Sequence, residues 1–167
     1  MKVGILGTGV VGTTLANAFL ATGHQVMMGS REAANEKALA WAKEAGAGSA
    51  ASTGTFADAA RFAEVAVLAL SWTGAENALK LAGAANLAGK VVIDAINPLT
   101  SGARGLELAI GHTDSAGEQV QRWLPGARVV KAFNSVGYGQ MFKPDFPDGP
   151  LSAPQESRGP EVAGRLR

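Results

Sequence analysis

The feature that most constrains this chain is a glycine-rich segment near its start, Gly7-Thr8-Gly9-Val10-Val11-Gly12. It follows residues 2–6, whose apolar run predicts a buried strand, and it precedes apolar residues at helical spacing that end near Gly23. A strand, this turn and a helix in that order predict the first unit of a parallel sheet with a phosphate-binding turn. Without that context, in a chain of 22 glycines, the motif would indicate only a glycine-rich turn.

Each glycine of the motif has a separate physical reason. Gly7 permits a tight turn after the strand, Gly9 lets the backbone approach a pyrophosphate, and Gly12 lets the helix pack closely on the strand. The helix N-terminus then offers free N–H groups and a partial positive charge to an anion. The spacing therefore predicts a dinucleotide site over residues 7–12.

Short apolar runs alternate with helical patterns along the first three-quarters of the chain. Residues 65–70 form the clearest central strand, because they are apolar on both faces. Further strands are predicted at 24–28, 47–53, 90–95 and 127–132, and helices at 32–45, 56–62, 75–85 and 115–124. This alternation predicts right-handed parallel units and an α/β fold with a doubly wound parallel sheet, the Rossmann fold.

Composition excludes several classes of protein. Hydrophobic residues make up 47% and charged residues 17%, which is not typical of a disordered chain. The net charge of +1 without a basic patch predicts no nucleic-acid partner. The absence of cysteine excludes disulfides and thiolate chemistry, and two isolated histidines make no metal motif. No apolar run approaches the ~20 residues of a membrane helix, and no signal peptide is evident, so we expect a cytoplasmic protein without membrane contact.

The composition changes after Lys143. Five of the seven prolines fall in residues 144–167, which show no apolar periodicity. We therefore expect a dinucleotide-binding domain over residues 1–143 and a proline-rich, extended or disordered tail over 144–167.

The end of the second strand distinguishes between dinucleotides. An acidic residue there usually binds the ribose 2′-hydroxyl of NAD, but this chain has Ser30 and Arg31, and no carboxylate until Glu32. A hydroxyl that donates a hydrogen bond and a planar guanidinium suit a 2′-phosphate, which predicts NADP(H). The alternative is that Ser30 caps the next helix and Arg31 is solvated.

Other polar residues follow predicted strand ends, where ligands of open α/β sheets bind. Ser71 has the alternative role of a helix N-cap, and Asn97 before Pro98 that of a turn residue. Lys131 is interpreted as a solvent-directed side chain, and Trp72 as packing or as a pocket wall. His112 is a general-acid candidate, but we assign no catalytic residue.

Four segments in order carry a resemblance to a known family: VGILGTGVVGTTLANAFLATGHQVMMGSRE, VAVLAL followed by SW, VVIDAINPL and VVKAFNSVG. Together they resemble the NADPH-dependent reductases of the deazaflavin coenzyme F420, the F420-dependent NADP oxidoreductases, from Met1 to about Leu151. Similar N-terminal domains occur in pyrroline-5-carboxylate reductases and metalloreductases. After Leu151 the sequence departs from the family, and we interpret this end as cut short or replaced.

The resemblance implies hydride transfer between the nicotinamide C4 and a deazaflavin C5, without a metal or a covalent intermediate. It assigns Thr8, Gly9, Val10 and Val11 to the pyrophosphate, Ser30 and Arg31 to the 2′-phosphate, Leu70 and Ser71 to the ribose and nicotinamide side, Asn97 and Pro98 to the nicotinamide, and Asn134 to closure of the pocket. Two alternatives stay open: reduction of another small acceptor (imine, flavin or metal chelate), or NADP binding without turnover. The resemblance and an uncovered outer strand favour a homodimer.

Overall fold

The computed structural model describes residues 1–46, 50–103, 105–111 and 113–145. These residues form eight strands and six α-helices. The strands are β1 (Lys2–Leu6), β2 (Gln25–Ser30), β3 (Ala51–Thr55), β4 (Val65–Leu68), β5 (Val91–Asp94), β6 (Leu99–Gly102), β7 (Gly105–Leu108) and β8 (Arg128–Lys131). The helices are α1 (Val10–Ala21), α2 (Glu36–Glu44), α3 (Phe56–Phe62), α4 (Trp72–Ala82), α5 (Ala84–Leu87) and α6 (Ala116–Trp123).

Six of these strands form one parallel sheet in the order β3-β2-β1-β4-β5-β8. The order reverses direction between β1 and β4, which makes a topological switch point there. Leu6 at the end of β1 pairs with Gly29 on one side and with Leu68 on the other, so the three strands end at the same edge. This confirms the doubly wound α/β prediction and places the switch point beside the glycine motif.

Two apolar clusters lie on the two faces of the sheet, and β1 contributes to both. Ile5 packs with Leu15 and Met28 in one cluster, while Leu6 packs with Leu68 in the other. All five side chains are at most 1% exposed. Each such burial contributes roughly 1.5–3 kcal/mol, so the central strands are firmly held and their carboxyl ends are well defined.

Several predicted boundaries differ from the structure. The helix expected from residue 32 begins at Glu36, because Asn35 caps it by accepting a hydrogen bond from the Ala38 amide at 3.1 Å. The strand expected over 65–70 ends at Leu68, which leaves the next residues in a loop. The helix expected over 75–85 begins at Trp72 and is interrupted at Gly83, whose φ is 79°.

The strands β6 and β7 form an antiparallel hairpin that was not predicted, in which Leu99 pairs with Leu108. Leu106 and Leu108 are 74% and 70% exposed. Because these leucines are not buried, the segment lacks the half-buried alternation by which strands are usually recognised.

Residues 146–167 and His112 lie outside the described residues, so the predicted tail and the general-acid candidate remain predictions. Within the described ranges, β8 pairs on one side only, with β5. The homodimer likewise remains a prediction. None of the described helices combines the length and apolar character that a membrane span requires.

Candidate functional site

A cleft of about 470 Å³ opens at the carboxyl edge of the sheet, around the switch point. We refer to it as the large chamber. It is bounded by the glycine turn, the end of β2, the start of α3 and the loop after β4. Its lining residues are Gly7, Thr8, Gly9, Ser30, Arg31, Glu32, Asn35, Phe56, Ala69, Leu70 and Ser71.

The fold itself requires two of the three motif glycines. Gly7 has a φ of 128°, and a Cβ there would lie 2.1 Å from the carbonyl oxygen of Ala69. A Cβ on Gly12 would lie 2.4 Å from the carbonyl oxygen of Gly7. The first glycine therefore permits the turn against the loop after β4, and the third permits α1 to approach that turn.

Gly9 is different, because the protein leaves room for a side chain there. Its φ of −78° and ψ of 178° are open to any residue, and a Cβ would meet no atom within 4 Å. The residue lines the large chamber, so that Cβ would project into space the protein does not fill. A glycine that the fold does not require is consistent with close approach of a ligand to the backbone.

The N-terminus of α1 also lies at this cleft, and its N–H groups have no side-chain cap and no acidic residue in the first turn. By contrast, α2, α3 and α6 are capped by Asn35, Thr55 and Ser115 and carry an acidic residue in the first turn. Helix α4 begins after Ser71, whose side chain forms no capping hydrogen bond either. Two helix N-termini without a side-chain cap therefore lie at the large chamber, which favours an anion there.

Ser30 and Arg31 lie at the far end of the large chamber. Ser30 is only 4% exposed, and its Oγ donates to the backbone carbonyl of Glu32 at 2.5 Å. It is therefore not the cap of α2. Arg31 is exposed, and its side chain has no hydrogen bond or ion pair with any described residue. It is the only cation among the lining residues of this chamber.

A second cavity, the small chamber of about 330 Å³, continues from the first toward β5. Both cavities are lined by Gly9, Ala69, Leu70 and Ser71, so together they form one groove across the sheet edge. The small chamber adds the residues Val10, Val11, Trp72, Ala95, Asn97 and Leu99. Trp72 lines this chamber and also stacks on Trp123, with ring centroids 5.4 Å apart. It therefore both packs against another ring and forms a wall of the chamber.

Asn97 and Asn134 connect the ends of β5 and β8. The Nδ2 atom of Asn97 donates to the carbonyl oxygen of Asn134 at 3.2 Å. Asn97 lines the small chamber, whereas Pro98 and Asn134 line a neighbouring cavity of about 330 Å³ at the start of α6. The groove thus brings together most of the expected binding residues. Gly12 is not among its lining residues, and Pro98 and Asn134 lie just beyond it.

The expectation that Lys131 points to solvent is wrong. Its Nζ donates to Asp94 Oδ2 at 3.0 Å and to the carbonyl oxygen of Ile96. Asp94 is completely buried. The pair was not predicted, although a carboxylate in one apolar strand and a lysine in another were a signal that could have indicated it, because buried charges require partners.

Two carboxylates outside the groove have a shifted pKa. The pKa of Asp58 is lowered chiefly by the hydrogen bond from the Thr55 hydroxyl at 2.6 Å. The pKa of Asp114 is lowered chiefly by the hydrogen bond from Arg122 at 2.6 Å. Asp58 belongs to the first turn of α3, whereas Asp114 precedes α6 and accepts hydrogen bonds from the Ser115 N–H and from the Gln119 and Arg122 side chains.

Comparison with known proteins identifies the family and the shared fold. The sequence model of a family described as NADP oxidoreductase, coenzyme F420-dependent, matches residues 2–98. A protein from Arthrobacter sp. FB24 named as an F420-dependent NADP reductase is 39% identical, with a TM-score of 0.76, over 84% of this chain and 66% of that one. The hypothetical protein SMa0349 from Sinorhizobium meliloti is 26% identical, with a TM-score of 0.67, over 83% and 63%.

This chain spans just under two thirds of the length of each of those two proteins. A reductive aminase from Aspergillus terreus, solved with NADPH and ethyl-5-oxohexanoate, is 23% identical with a TM-score of 0.54. That match covers 78% of this chain and 38% of that one, and it shows the shared fold alone.

Proposed function

This chain belongs to the coenzyme F420-dependent NADP oxidoreductase family, and from that membership we propose that its groove binds NADP(H) and that it transfers a hydride between the nicotinamide and coenzyme F420. One observation carries the proposal: a continuous groove with an unpaired Arg31 at one end, an uncapped α1 in the middle and a largely apolar chamber at the other. The order of these three surfaces along the groove matches the order of the 2′-phosphate, the pyrophosphate and the nicotinamide ring in one extended dinucleotide.

Arg31 is the group that we assign to the 2′-phosphate. Its guanidinium has no partner among the described residues, so binding a phosphate breaks no existing ion pair. Ser30 supports the same site by shaping the turn, since its hydroxyl bonds the Glu32 carbonyl. For Ser30 itself to donate to a phosphate, as the sequence suggested, its proton must leave that carbonyl.

The start of α1 is the part that we assign to the pyrophosphate. Its first N–H groups, from Val10 onward, are not capped by a side chain, and Gly9 leaves the backbone open to close approach. Thr8 lines the same chamber. The helix dipole and these donors favour negative charge at this place without any lysine or arginine.

The small chamber is the part that we assign to the nicotinamide. Leu70, Ser71 and Asn97 line it and offer apolar contact and neutral hydrogen bonding. When bound, NADPH supplies the hydride from nicotinamide C4 to C5 of the deazaflavin, with a proton taken up from water. The protein's contribution to such a reaction is to hold the nicotinamide and deazaflavin rings in the correct relative position and to exclude water between them.

Rapid mixing of NADPH with oxidised coenzyme F420 tests the proposed activity. The expected result with the protein present is loss of the deazaflavin absorbance together with oxidation of one NADPH for each F420 reduced. NADPH binding without loss of that absorbance would contradict the assigned acceptor. Oxidation of NADPH by an imine, a flavin or a metal chelate alone would assign a different acceptor, and binding without oxidation by any of them would assign a binding module.

A further inference from the structure

Asp94 and Lys131 form an ion pair at the edge of the sheet on which the groove lies. They are the last residues of β5 and β8, and the register of the two strands places them opposite each other. Asp94 is completely buried, whereas the Lys131 side chain is 32% exposed. The pair therefore lies at the carboxyl ends of the two strands, where the chain after β5 leaves the sheet.

The same two side chains also hold the backbone of Ile96. Asp94 Oδ1 accepts the Ile96 N–H at 2.9 Å, and Lys131 Nζ donates to the Ile96 carbonyl oxygen. The Ile96 side chain is itself only 1% exposed. Both backbone polar groups and the side chain are thus occupied, which fixes the chain one residue before Asn97.

Asn97 is held from its other side as well. The Asn97 side-chain amide donates to the Asn134 carbonyl oxygen. Phe133, the residue before Asn134, adopts a φ of 65°, which L-residues rarely do. Phe133 packs against the apolar cluster that contains Ala95. A strained backbone held by packing is typical of positions where geometry matters to function.

We propose that Asp94 and Lys131 are a positioning pair that fixes Asn97 at the nicotinamide end of the groove. The proposal rests on the proposed function, since it concerns how that site holds the dinucleotide. The charges as such are weak evidence of a stabilising role, because well-packed apolar residues of similar volume are often as stabilising as a buried ion pair. Apolar side chains would fill the space but leave Ile96 without either hydrogen bond.

A glycine of α6 stands next to the pair. Gly117 of α6 lies over it, and a Cβ there would stand 3.8 Å from Lys131 Cδ and 3.9 Å from Asp94 Oδ2. Removing Lys131 alone would leave a buried carboxylate without its cation. The double variant Asp94→Leu with Lys131→Met removes both charges together, which avoids that penalty.

The test compares two ligands in the double variant and in the wild type. One ligand is 2′,5′-ADP, which contains only the adenosine half with its 2′-phosphate, and the other is NADPH. We expect the affinity for 2′,5′-ADP to be unchanged, while NADPH affinity falls at least about fivefold and the bound nicotinamide loses its fluorescence change, since a misplaced group loses its contacts. The Lys131→Arg variant keeps the cation and should retain the wild-type NADPH signal.

A matched control is the exposed pair Glu76 and Lys80 on α4, whose Oε1 and Nζ lie 2.8 Å apart. The variant Glu76→Leu with Lys80→Met should leave both affinities unchanged. Equal losses for both ligands in the Asp94/Lys131 variant, or no loss for either, would overturn the positioning role. If that variant does not fold, the double variant Asp94→Asn with Lys131→Met is compared with the wild type in the same way. It removes both charges and the donor to the Ile96 carbonyl, and we expect the same loss of NADPH affinity with unchanged 2′,5′-ADP affinity. Failure of the wild type to bind 2′,5′-ADP would instead contradict the proposed function.

Discussion

At the residue scale, Gly7, Gly9 and Gly12 belong to one motif but have different roles. An added Cβ would collide with backbone at Gly7 and Gly12 and would meet nothing at Gly9. The fold therefore depends on Gly7 and Gly12, and binding of the proposed ligand depends on Gly9.

Substitution of Gly9 by alanine should separate these roles. We expect Gly9→Ala to lower the free energy of unfolding by less than about 1 kcal/mol, the range of a changed N-cap. NADPH affinity should fall at least about tenfold, because a methyl group would occupy the path of the pyrophosphate. In Gly12→Ala we expect a loss of roughly 1–3 kcal/mol through overpacking. Urea unfolding and NADPH titration of both variants measure this, and unchanged NADPH affinity in Gly9→Ala would contradict it.

Arg31 gives a second prediction at this scale. Arg31→Ala should weaken NADPH by roughly 1.5–3 kcal/mol, or about 10- to 150-fold, since a charge-assisted hydrogen bond is lost. NADH, which lacks the 2′-phosphate, should be almost unaffected. Lys37→Ala, another exposed cation in the first turn of α2, is the matched control and should change neither affinity. Equal weakening of NADPH and NADH in Arg31→Ala would refute the assignment.

Single residues show which features of the site could be predicted from the sequence and which could not. The position of Arg31 at the end of β2 followed from spacing, because strand ends and site positions are both set locally. The hydrogen bond of Ser30 to Glu32 and the pairing of Lys131 with Asp94 did not follow. Both depend on which way a side chain turns, and that is decided by neighbours distant in sequence or by the shape of a loop.

At the element scale, α3 supports the strands that carry the site. A Cβ on Gly4 of β1 would lie 2.4 Å from the Ala59 carbonyl oxygen, and one on Gly29 of β2 would lie 2.7 Å from the Ala59 Cβ. The helix begins with a capping box in which the Thr55 hydroxyl and the Asp58 carboxylate bond each other's backbone amides. Its first turn therefore depends on an ionised carboxylate.

This dependence predicts an acid-sensitive contribution to stability. The hydrogen bonds from Thr55 lower the pKa of Asp58 in the folded state, so its stabilising effect is complete above the ordinary carboxyl pKa. The effect is lost as the pH falls through the lowered pKa. Asp58→Asn should therefore reduce the fall in the urea midpoint between about pH 5 and pH 3. Glu44→Gln on the exposed surface of α2 is the control, and an equal fall in the Asp58→Asn variant and the wild type would contradict the prediction.

Periodicity predicted five of the six strands of the main sheet and the extent of α3. The third strand was expected over 47–53 but is β3, Ala51–Thr55, in which only Gly54 is buried. Periodicity did not predict the β6–β7 hairpin, whose leucines are exposed, or the start of α2 at Glu36. The hairpin carries Leu99 into the small chamber, so the missed element bears on the site. Its formation depends on pairing between two short strands and not on contact with the core.

At the scale of the whole molecule, the proposed ligand would contact elements from both halves of the sheet. The groove runs from the end of β2, past α1, to the loop after β5. A ligand that binds only the folded state raises its stability by about 2.7 kcal/mol at 100 times its Kd. We therefore expect saturating NADPH to raise the thermal midpoint by roughly 5–10 °C. NADH at the same concentration should raise it much less. Equal shifts for the two nucleotides would contradict the assigned 2′-phosphate site.

The most direct measurement is the pair of equilibrium dissociation constants of the wild-type chain for NADPH and NADH, taken under the same salt and pH. The central claim is that the glycine turn holds a pyrophosphate while Arg31 binds the adenosine 2′-phosphate. It predicts that NADPH binds at least about tenfold more tightly than NADH. Equal affinity, tighter binding of NADH, or no binding of either nucleotide would contradict it.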